Sequence, residues 1–275
     1  MSGFLDEMAA SSERRARQLL EREPLHALIR RARERPPAPP LRLSKQGFDI
    51  IAELKLRSPA AGMLGSSTDD WPGRVQGYAH GGAAAVSVLT EPDRFNGSLD
   101  HLERAAQVLE PFGVPVMRKD FLVDPCQVWE ARAHGAGGVL VIVRMLGDAR
   151  MAELLDCAAQ NRMFVLLEAF DGADLARART ALSARRAGDG QILVGVNCRD
   201  LQTLEVLPER FDHLASHMPG GWPGVAESGV NTPDDAARMA RLGFQLALIG
   251  SALMRAPDPA GLIGRMLGQA RTLEP

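Results

Sequence analysis

Three observations predict an α/β fold in which eight parallel strands alternate with helices and close into a barrel. Eight short apolar runs follow one another from Phe48 onward, and they are continuous, as in strands buried on both faces of a parallel sheet. Longer amphipathic stretches separate these runs. Eight such units in roughly 225 residues match the size of a (β/α)8 or TIM barrel. A doubly wound sheet is disfavoured because neither G-x-G-x-x-G nor a Walker A motif follows the first run.

The predicted strands are short apolar runs bounded by turn residues. They cover residues 50–54, 84–89, 116–118, 139–143, 164–168, 193–197, 224–227 and 247–250. Predicted helix starts carry a capping residue with proline or an acid close behind, as at Ser98, Asp124 and Thr232. Glycine after a helical stretch, as at Gly135 and Gly243, marks a helix end because glycine tolerates the left-handed conformation.

Residues 1–47 are predicted to form an N-terminal helical extension that packs on the barrel, and residues 48–275 to form the barrel itself. Most of the extension is rich in Arg and Glu, with spaced apolar positions. The proline-rich segment 36–40 ends its helical part, since proline lacks the N–H and clashes with the preceding turn. The two parts together are expected to make a single domain.

Composition excludes several functional classes. The chain has 275 residues, a formal net charge of -2 and three cysteines. The near-neutral charge argues against nucleic-acid and membrane-surface partners, which need a basic excess. The cysteines are too widely spaced for a disulfide framework or a zinc site, so no metal is expected. No apolar run is long enough for a membrane helix, and the acidic N-terminus fits no targeting peptide, which predicts a cytoplasmic protein.

Lysine is rare in this chain. Of 32 basic residues only Lys45, Lys55 and Lys119 are lysines. Arginine is effectively never deprotonated in proteins, whereas burial can lower the pKa of a lysine. The retained lysines are therefore candidates for a role that a guanidinium cannot fill.

Polar residues cluster where the predicted strands end, which is where active sites lie in barrels of this kind. The candidates for catalysis are Glu53, Lys55, Lys119, Glu168, Asn197 and Glu227. Glu53 and Lys55 are two apart and so share one face of a strand, where each can shift the other's pKa. A barrel-mouth salt bridge is the purely structural alternative. Because Lys119 and Glu168 are expected at the same mouth, we favour acid–base catalysis.

The seventh and eighth strands are followed by glycine and serine. Ser228, Gly229, Gly250 and Ser251 are candidates for phosphate binding, because glycine lets backbone N–H groups approach an anion. Loops after these two strands are the usual phosphate site in such barrels. The alternative is an ordinary turn with a serine cap. A side chain at Gly250 is expected to obstruct the anion and to raise KM more than it lowers kcat.

Two other features have ordinary interpretations. Cys198 alternates to the strand face opposite Asn197, which favours an inert buried thiol over a nucleophile. The basic cluster of Arg14, Arg15 and Arg17 is interpreted as a solvated helix face.

Several motifs, in order along the chain, resemble the indole-3-glycerol phosphate synthase family. They lie at residues 51–55, 58–59, 86–90, 95–99, 118–121, 197–201 and 227–233. The likeness runs from about residue 5 to residue 270 and includes the extension. It implies conversion of 1-(2-carboxyphenylamino)-1-deoxyribulose 5-phosphate to indole-3-glycerol phosphate, water and carbon dioxide in tryptophan biosynthesis, without cofactor or metal.

The resemblance also implies roles. Lys119 resembles the general acid of ring closure and Glu168 its carboxylate partner. Glu53 and Lys55 resemble the pair that serves dehydration, and the positions of Asn197 and Glu227 are those of groups that orient substrate and stabilise positive charge. The substrate-binding positions are Ser58, Pro59, Phe95, Phe121, Arg199 and Leu201, and the phosphate-binding positions are Ser228, Gly229, Gly250 and Ser251.

Cys198 and Phe170 depart from the family pattern, which expects asparagine and histidine there, and the segment 58–62 lacks the usual second serine. A paralogue of altered substrate scope is therefore an alternative. A related phosphosugar isomerase, a Schiff-base aldolase and a non-catalytic phosphate-binding barrel are further alternatives. The expected partner is the small phosphosugar-anthranilate substrate, and the expected state is a monomer or weak homodimer.

Overall fold

Eight parallel strands close into a barrel, which confirms the predicted fold. The computed structural model describes residues 3–58, 62–63, 70–185, 190–200 and 203–272. The strands are β1 (Asp49–Leu54), β2 (Ala85–Leu89), β3 (Val116–Lys119), β4 (Gly138–Ile142), β5 (Phe164–Ala169), β6 (Ile192–Asn197), β7 (Gly224–Glu227) and β8 (Leu246–Ile249). The first strand pairs with both β2 and β8, which closes the sheet. All strands therefore end at one mouth.

Helices cover the outside of the barrel. They are α1 (Phe4–Arg22), α2 (Leu25–Glu34), α3 (Trp71–His80), α4 (Pro92–Phe95), α5 (Leu99–Leu109), α6 (Pro125–Ala133), α7 (Asp148–Gln160), α8 (Gly172–Ser183), α9 (Glu209–Ala215), α10 (Pro233–Arg241), α11 (Ser251–Arg255) and α12 (Pro259–Arg271). Short 3-10 turns cover Glu110–Phe112 and Val143–Met145, and Arg57–Ser58 pairs with Gly62–Met63 as a small hairpin. Among the described residues, none of these helices is both long and apolar enough to cross a membrane.

The predicted helix starts and ends are confirmed. The side chains of Ser98, Asp124 and Thr232 each accept a hydrogen bond from a backbone N–H of the first turn. Gly135 and Gly243 have φ values of 84° and 92°, the left-handed conformation that ends a helix. Strand boundaries differ from prediction by at most one residue, and Lys119 belongs to β3 itself.

Two apolar layers hold the fold together. One fills the barrel interior, with Met117, Leu166 and Leu193 fully buried. Leu41, at the end of the extension, belongs to this layer and packs at the end of the barrel where the strands begin. The other layer lies between the strands and the surrounding helices. It includes Leu28 of α2, so the extension shares the core of the barrel.

The interpretation of the basic cluster as a solvated face is wrong for one of its members. Arg14 and Arg17 are exposed, but Arg15 forms a bidentate ion pair with the buried Asp120, at 2.8 Å for each hydrogen bond. A buried carboxylate needs a counter-charge, and α1 carries Arg15 over the end of β3, where Asp120 lies. The pattern of α1 alone could not reveal this partner, because it lies 105 positions away.

Candidate active site

A cavity of about 340 Å³ opens at the mouth where the strands end. This volume suits a small-molecule ligand. It is lined by most of the residues that the sequence nominated: Glu53, Lys55, Phe95, Lys119, Phe121, Glu168, Asn197, Arg199, Glu227, Ser228, Gly229, Gly250 and Ser251. Pro59 and Leu201 lie outside the described residues, and only the backbone of Ser58 is described.

Lys119 lies between two carboxylates at the centre of the cavity. Its Nζ is 3.2 Å from Glu168 Oε2 and 3.3 Å from Glu227 Oε2, and the two glutamates are buried. β3 and β7 face each other across the barrel, so Lys119 bridges the mouth. Burial alone would lower the pKa of Lys119, but the charges of Glu168, Glu227 and Glu53 outweigh it and raise the pKa. Lys119 is therefore an ammonium ion at neutral pH.

Glu53 and Lys55 form a second ion pair in the same cavity. Lys55 Nζ is 2.6 Å from Glu53 Oε1, as their shared strand face predicts. Burial alone would raise the pKa of Glu53, but the ammonium groups of Lys55 and Lys119 together hold it below its ordinary value. Glu53 is thus an ionised, acceptor-only carboxylate.

Glu227 differs from the other two glutamates. Its Oε1 is buried and has no hydrogen-bond partner among the described residues. Burial and the nearby charge of Glu168 raise its pKa well above the ordinary value, and the opposing effect of Lys119 is smaller. Glu227 therefore holds a proton at pH values where an exposed glutamate would have lost it.

Asn197 connects the acid–base groups to the far end of the cavity. Its Nδ2 donates to Glu168 Oε2 at 3.3 Å, and its Oδ1 accepts from Ser228 Oγ at 2.9 Å. The backbone N–H of Arg199 also donates to Asn197 Oδ1, at 3.0 Å. The Arg199 guanidinium donates to the Leu204 carbonyl at 2.7 Å. One amide thus fixes both Glu168 and the turn that begins at Ser228.

The predicted phosphate-binding residues lie together. Gly250 is the N-cap of α11 and Ser251 is the first residue of that helix. Ser228 and Gly229 both have positive φ, 66° and 83°, which turns the chain sharply after β7. The thiol of Cys198 donates to the Ser228 carbonyl at 3.2 Å, on the side away from the cavity lining. Cys198 is fully buried and burial raises its pKa to about 11, as the inert-thiol interpretation expects.

An apolar wall faces this turn across the cavity. The ring of Phe121 lies 6.0 Å from that of Phe95 and 5.8 Å from that of Phe4, centroid to centroid. On another side Phe170 lines the cavity, with the Arg144 guanidinium 4.6 Å from the centre of its ring. Cation–π contact of this kind fixes the orientation of the ring.

Sequence reasoning missed several residues. Phe4 and Leu5 reach the cavity from α1, and Asn231 and Arg255 line it near the glycine–serine turns. Gly195 leaves room for a carboxylate, because a β-carbon there would overlap Glu227 Oε1. The apolar start of α1 was the only signal for the first two, and the others depend on contacts between separate strands. Among the described residues, no group of His, Cys, Asp and Glu side chains could hold a metal ion.

The indole-3-glycerol phosphate synthase family profile matches residues 5–266 of this chain. The protein of that name from Nocardioides sp. is 43% identical over 235 residues, which cover 85% of this chain and 85% of that protein. Its counterpart from Parafrankia sp. is 40% identical over 251 residues, covering 90% and 89%.

Solved structures share the fold. The 3-hexulose-6-phosphate synthase from Salmonella typhimurium has a TM-score of 0.62 at 13% identity and covers 81% of this chain and 98% of that one. Thiamine phosphate pyrophosphorylase from Pyrococcus furiosus has a TM-score of 0.56 at 15% identity, covering 82% and 96%. At these identities the likeness shows the barrel alone.

The opposite pKa shifts of Glu227 and Glu53 predict opposite pH effects on stability. A raised pKa in the folded state gives stability that is complete below the unfolded value and is lost as pH rises through the folded value. Glu227→Gln should therefore gain stability relative to the wild type as pH rises above 4.5. Glu53→Gln should be less stable than the wild type at neutral pH, and its deficit should shrink as pH falls below 4.5.

Urea unfolding of both variants and the wild type between about pH 4 and pH 8 measures these differences. Two difference curves with the same slope would contradict the assignment of opposite shifts.

Proposed function

The chain belongs to the indole-3-glycerol phosphate synthase family, and we propose that the family's reaction takes place in this cavity. That reaction closes the indole ring, releases carbon dioxide and eliminates water. The substrate is 1-(2-carboxyphenylamino)-1-deoxyribulose 5-phosphate. The products are indole-3-glycerol phosphate, carbon dioxide and water. The observation that carries the proposal is the position of Lys119 between Glu168 and Glu227, midway between an apolar wall and a glycine–serine turn.

The two ends of the cavity suit the two ends of the substrate. Backbone N–H groups at Gly229, Gly250 and Ser251, with the Ser228 hydroxyl, hold the phosphate. The carboxyphenyl ring packs on Phe95 and Phe121, and its carboxylate is directed toward Arg199. Ser58, Pro59 and Leu201 complete this ring end as proposed contacts. Holding both ends brings the ring carbon and the ketone to reacting distance.

Ring closure requires an acid at the ketone oxygen. The ring carbon that bears the carboxylate attacks the ketone carbon, and Lys119 gives its proton to the oxygen as the carbon–carbon bond forms. Glu168 holds Lys119 in place and passes to it a proton taken up from solvent. Carbon dioxide then leaves, and the electrons of the broken bond restore the aromatic ring.

Dehydration requires a second acid and a base. Lys55 protonates the departing hydroxyl, which leaves as water while the ring nitrogen donates its electron pair. Glu53 removes the proton from the neighbouring carbon and completes the indole. Asn197 and Glu227 orient the sugar chain and stabilise positive charge that develops between these steps. One proton from solvent restores the site, because loss of carbon dioxide from a carboxylate consumes one.

A changed substrate scope is the second candidate, and one observation favours it. Among the departures from the family pattern, Phe170 lines the cavity, whereas Cys198 lies behind it. A change in the accepted ring or sugar would therefore act through Phe170. In either case we propose a cytoplasmic enzyme with a small-molecule substrate, working as a monomer or weak homodimer, without nucleic-acid or membrane partners and without a cofactor.

The decisive experiment is incubation of the purified protein with the carboxyphenylamino-deoxyribulose phosphate. We expect indole-3-glycerol phosphate and carbon dioxide in equal amounts, followed by indole fluorescence and by trapping of the gas. Folded protein that forms no indole product would contradict the proposal. Isomerised sugar phosphate, or trapping of substrate on a lysine by borohydride, would favour an isomerase or an aldolase instead.

Lys119→Arg should keep the fold and lose about 10²–10⁴-fold in kcat, because the guanidinium keeps the charge but cannot give up a proton. Steady-state kinetics and circular dichroism measure the two properties. Lys45→Arg is the matched control, since Lys45 is exposed and outside the cavity. Near-normal turnover of Lys119→Arg would remove Lys119 from the acid role.

Gly250→Ala should lower kcat as well as raise KM. The added β-carbon would overlap the Glu53 carboxylate and lie 3.1 Å from Lys55 Nζ, so it disturbs the dehydration pair as well as the anion. A loss of about 10-fold or more in kcat is expected from such a displacement. The control is Gly264→Ala on α12, where a β-carbon meets no atom within 4 Å. A raised KM with unchanged kcat would instead support the expectation from sequence, in which a side chain at Gly250 obstructs only the anion.

A further inference from the structure

Asp120 is the centre of a buried polar network at the edge of the cavity. Its carboxylate accepts hydrogen bonds from Arg15 at 2.8 Å twice, from Thr90 Oγ1 at 2.8 Å and from Arg118 at 3.0 Å. It also accepts from the backbone N–H of Phe121 at 2.8 Å. One side chain therefore ties α1 to the ends of β2 and β3.

Arg118 alone cannot neutralise the buried carboxylates of this network. Arg118 is buried and donates both to Asp120 and, at 2.8 Å, to Glu130. One guanidinium cannot neutralise two carboxylates, and Arg15 supplies the second positive charge. A further hydrogen bond joins Gln127 Nε2 to Ser12 of α1 at 2.8 Å. The extension thus adds a second guanidinium to a buried ion cluster of the barrel.

This cluster is one residue away from the proposed catalytic lysine. Lys119, Asp120 and Phe121 all line the cavity, and Asp120 is also the centre of the network. The hydrogen bonds of the Asp120 carboxylate hold Asp120 itself, which directly follows Lys119. The carboxylate also holds the next residue, by accepting from the backbone N–H of Phe121. Anything that holds Asp120 therefore holds the segment that carries Lys119.

We propose that Arg15 is a positioning residue for ring closure: through its bidentate pair with Asp120 it fixes the backbone that aims Lys119 at the ketone oxygen. This inference rests on the proposed function of Lys119. Arg15 itself does not line the cavity. A second ion pair from α1 to the barrel, Arg94 with Glu7 at 3.1 Å, is exposed and has no such connection to β3. It supplies a matched control.

The test compares Arg15→Met with Arg94→Met, because methionine keeps an unbranched apolar stem and removes the charge. Arg15→Met should lower kcat about 10²-fold, the loss expected from a displacement of roughly 1 Å at a reacting group. Arg94→Met should keep wild-type kinetics. Inhibition by inorganic phosphate should be unchanged in both variants, since β7 and β3 lie on opposite sides of the barrel.

Two further measurements separate positioning from simple stabilisation. The side chain of Arg15 is 22% exposed, so millimolar guanidinium ion should reach the gap and restore part of the lost kcat of Arg15→Met. In a double-mutant cycle, Arg15→Met should cost much less kcat in an Asp120→Asn background than in the wild type. If Asp120→Asn fails to fold, Arg15→Lys replaces it, and the single ammonium should recover only part of kcat.

The proposal would be overturned if the kcat of Arg15→Met stayed within about 2-fold of the wild type. It would also be overturned if inhibition by inorganic phosphate weakened as much as kcat fell. Wild-type turnover tests the function itself, so the two failures are distinct. If the wild type forms no product, amide hydrogen exchange at residues 119–121 still tests Arg15. Exchange there should be faster in Arg15→Met than in Arg94→Met, and equal rates would also overturn the proposal.

Discussion

Neutralisation of buried charge at the barrel mouth is the constraint on which the rest of the site depends. Two lysines and three glutamates line one cavity, and all five are held in ion pairs of 3.3 Å or less. Taken as fully ionised, the set carries one negative charge too many, and an isolated buried charge is expensive. The raised pKa of Glu227 reduces this excess, because Glu227 keeps its proton to a higher pH than an exposed glutamate does. The acid–base properties of the site are thus consequences of its charge balance.

The same rule operates on the other face of β3. Lys119 points into the cavity, while its neighbours Arg118 and Asp120 take part in the ion cluster at the cavity's edge. Within that cluster Arg15 of the extension provides the charge that completes the pairing. Arg118 and Lys119 point to opposite sides because they are neighbours on a strand. Asp120 follows the end of the strand and joins the cluster of Arg118. The extension and the active site are connected by this strand, although no atom of Arg15 lines the cavity.

Sequence alone predicted the elements that depend on local pattern. Strand ends, helix caps and the pairing of Glu53 with Lys55 follow from periodicity and from spacing of two residues, and each is present. The pairing of Arg15 with Asp120 could not be predicted, because an amphipathic helix does not show which of its charges will meet a buried partner across the fold. Phe4 was missed for the same reason: its role depends on where α1 comes to lie, which tertiary packing decides.

Two glycines show how backbone and charge are coupled in this barrel. A β-carbon at Gly195 would overlap the Glu227 carboxylate, and one at Gly250 would overlap that of Glu53. In both cases the glycine lies on or just after the strand beside the one that carries the glutamate. Glycine in a strand lowers its stability, so neither position is explained by sheet formation. Each instead provides the space in which a carboxylate can approach a lysine rather than turn back toward the strand. The geometry of the ion pairs therefore depends on the space left at Gly195 and Gly250 as much as on the charged residues themselves.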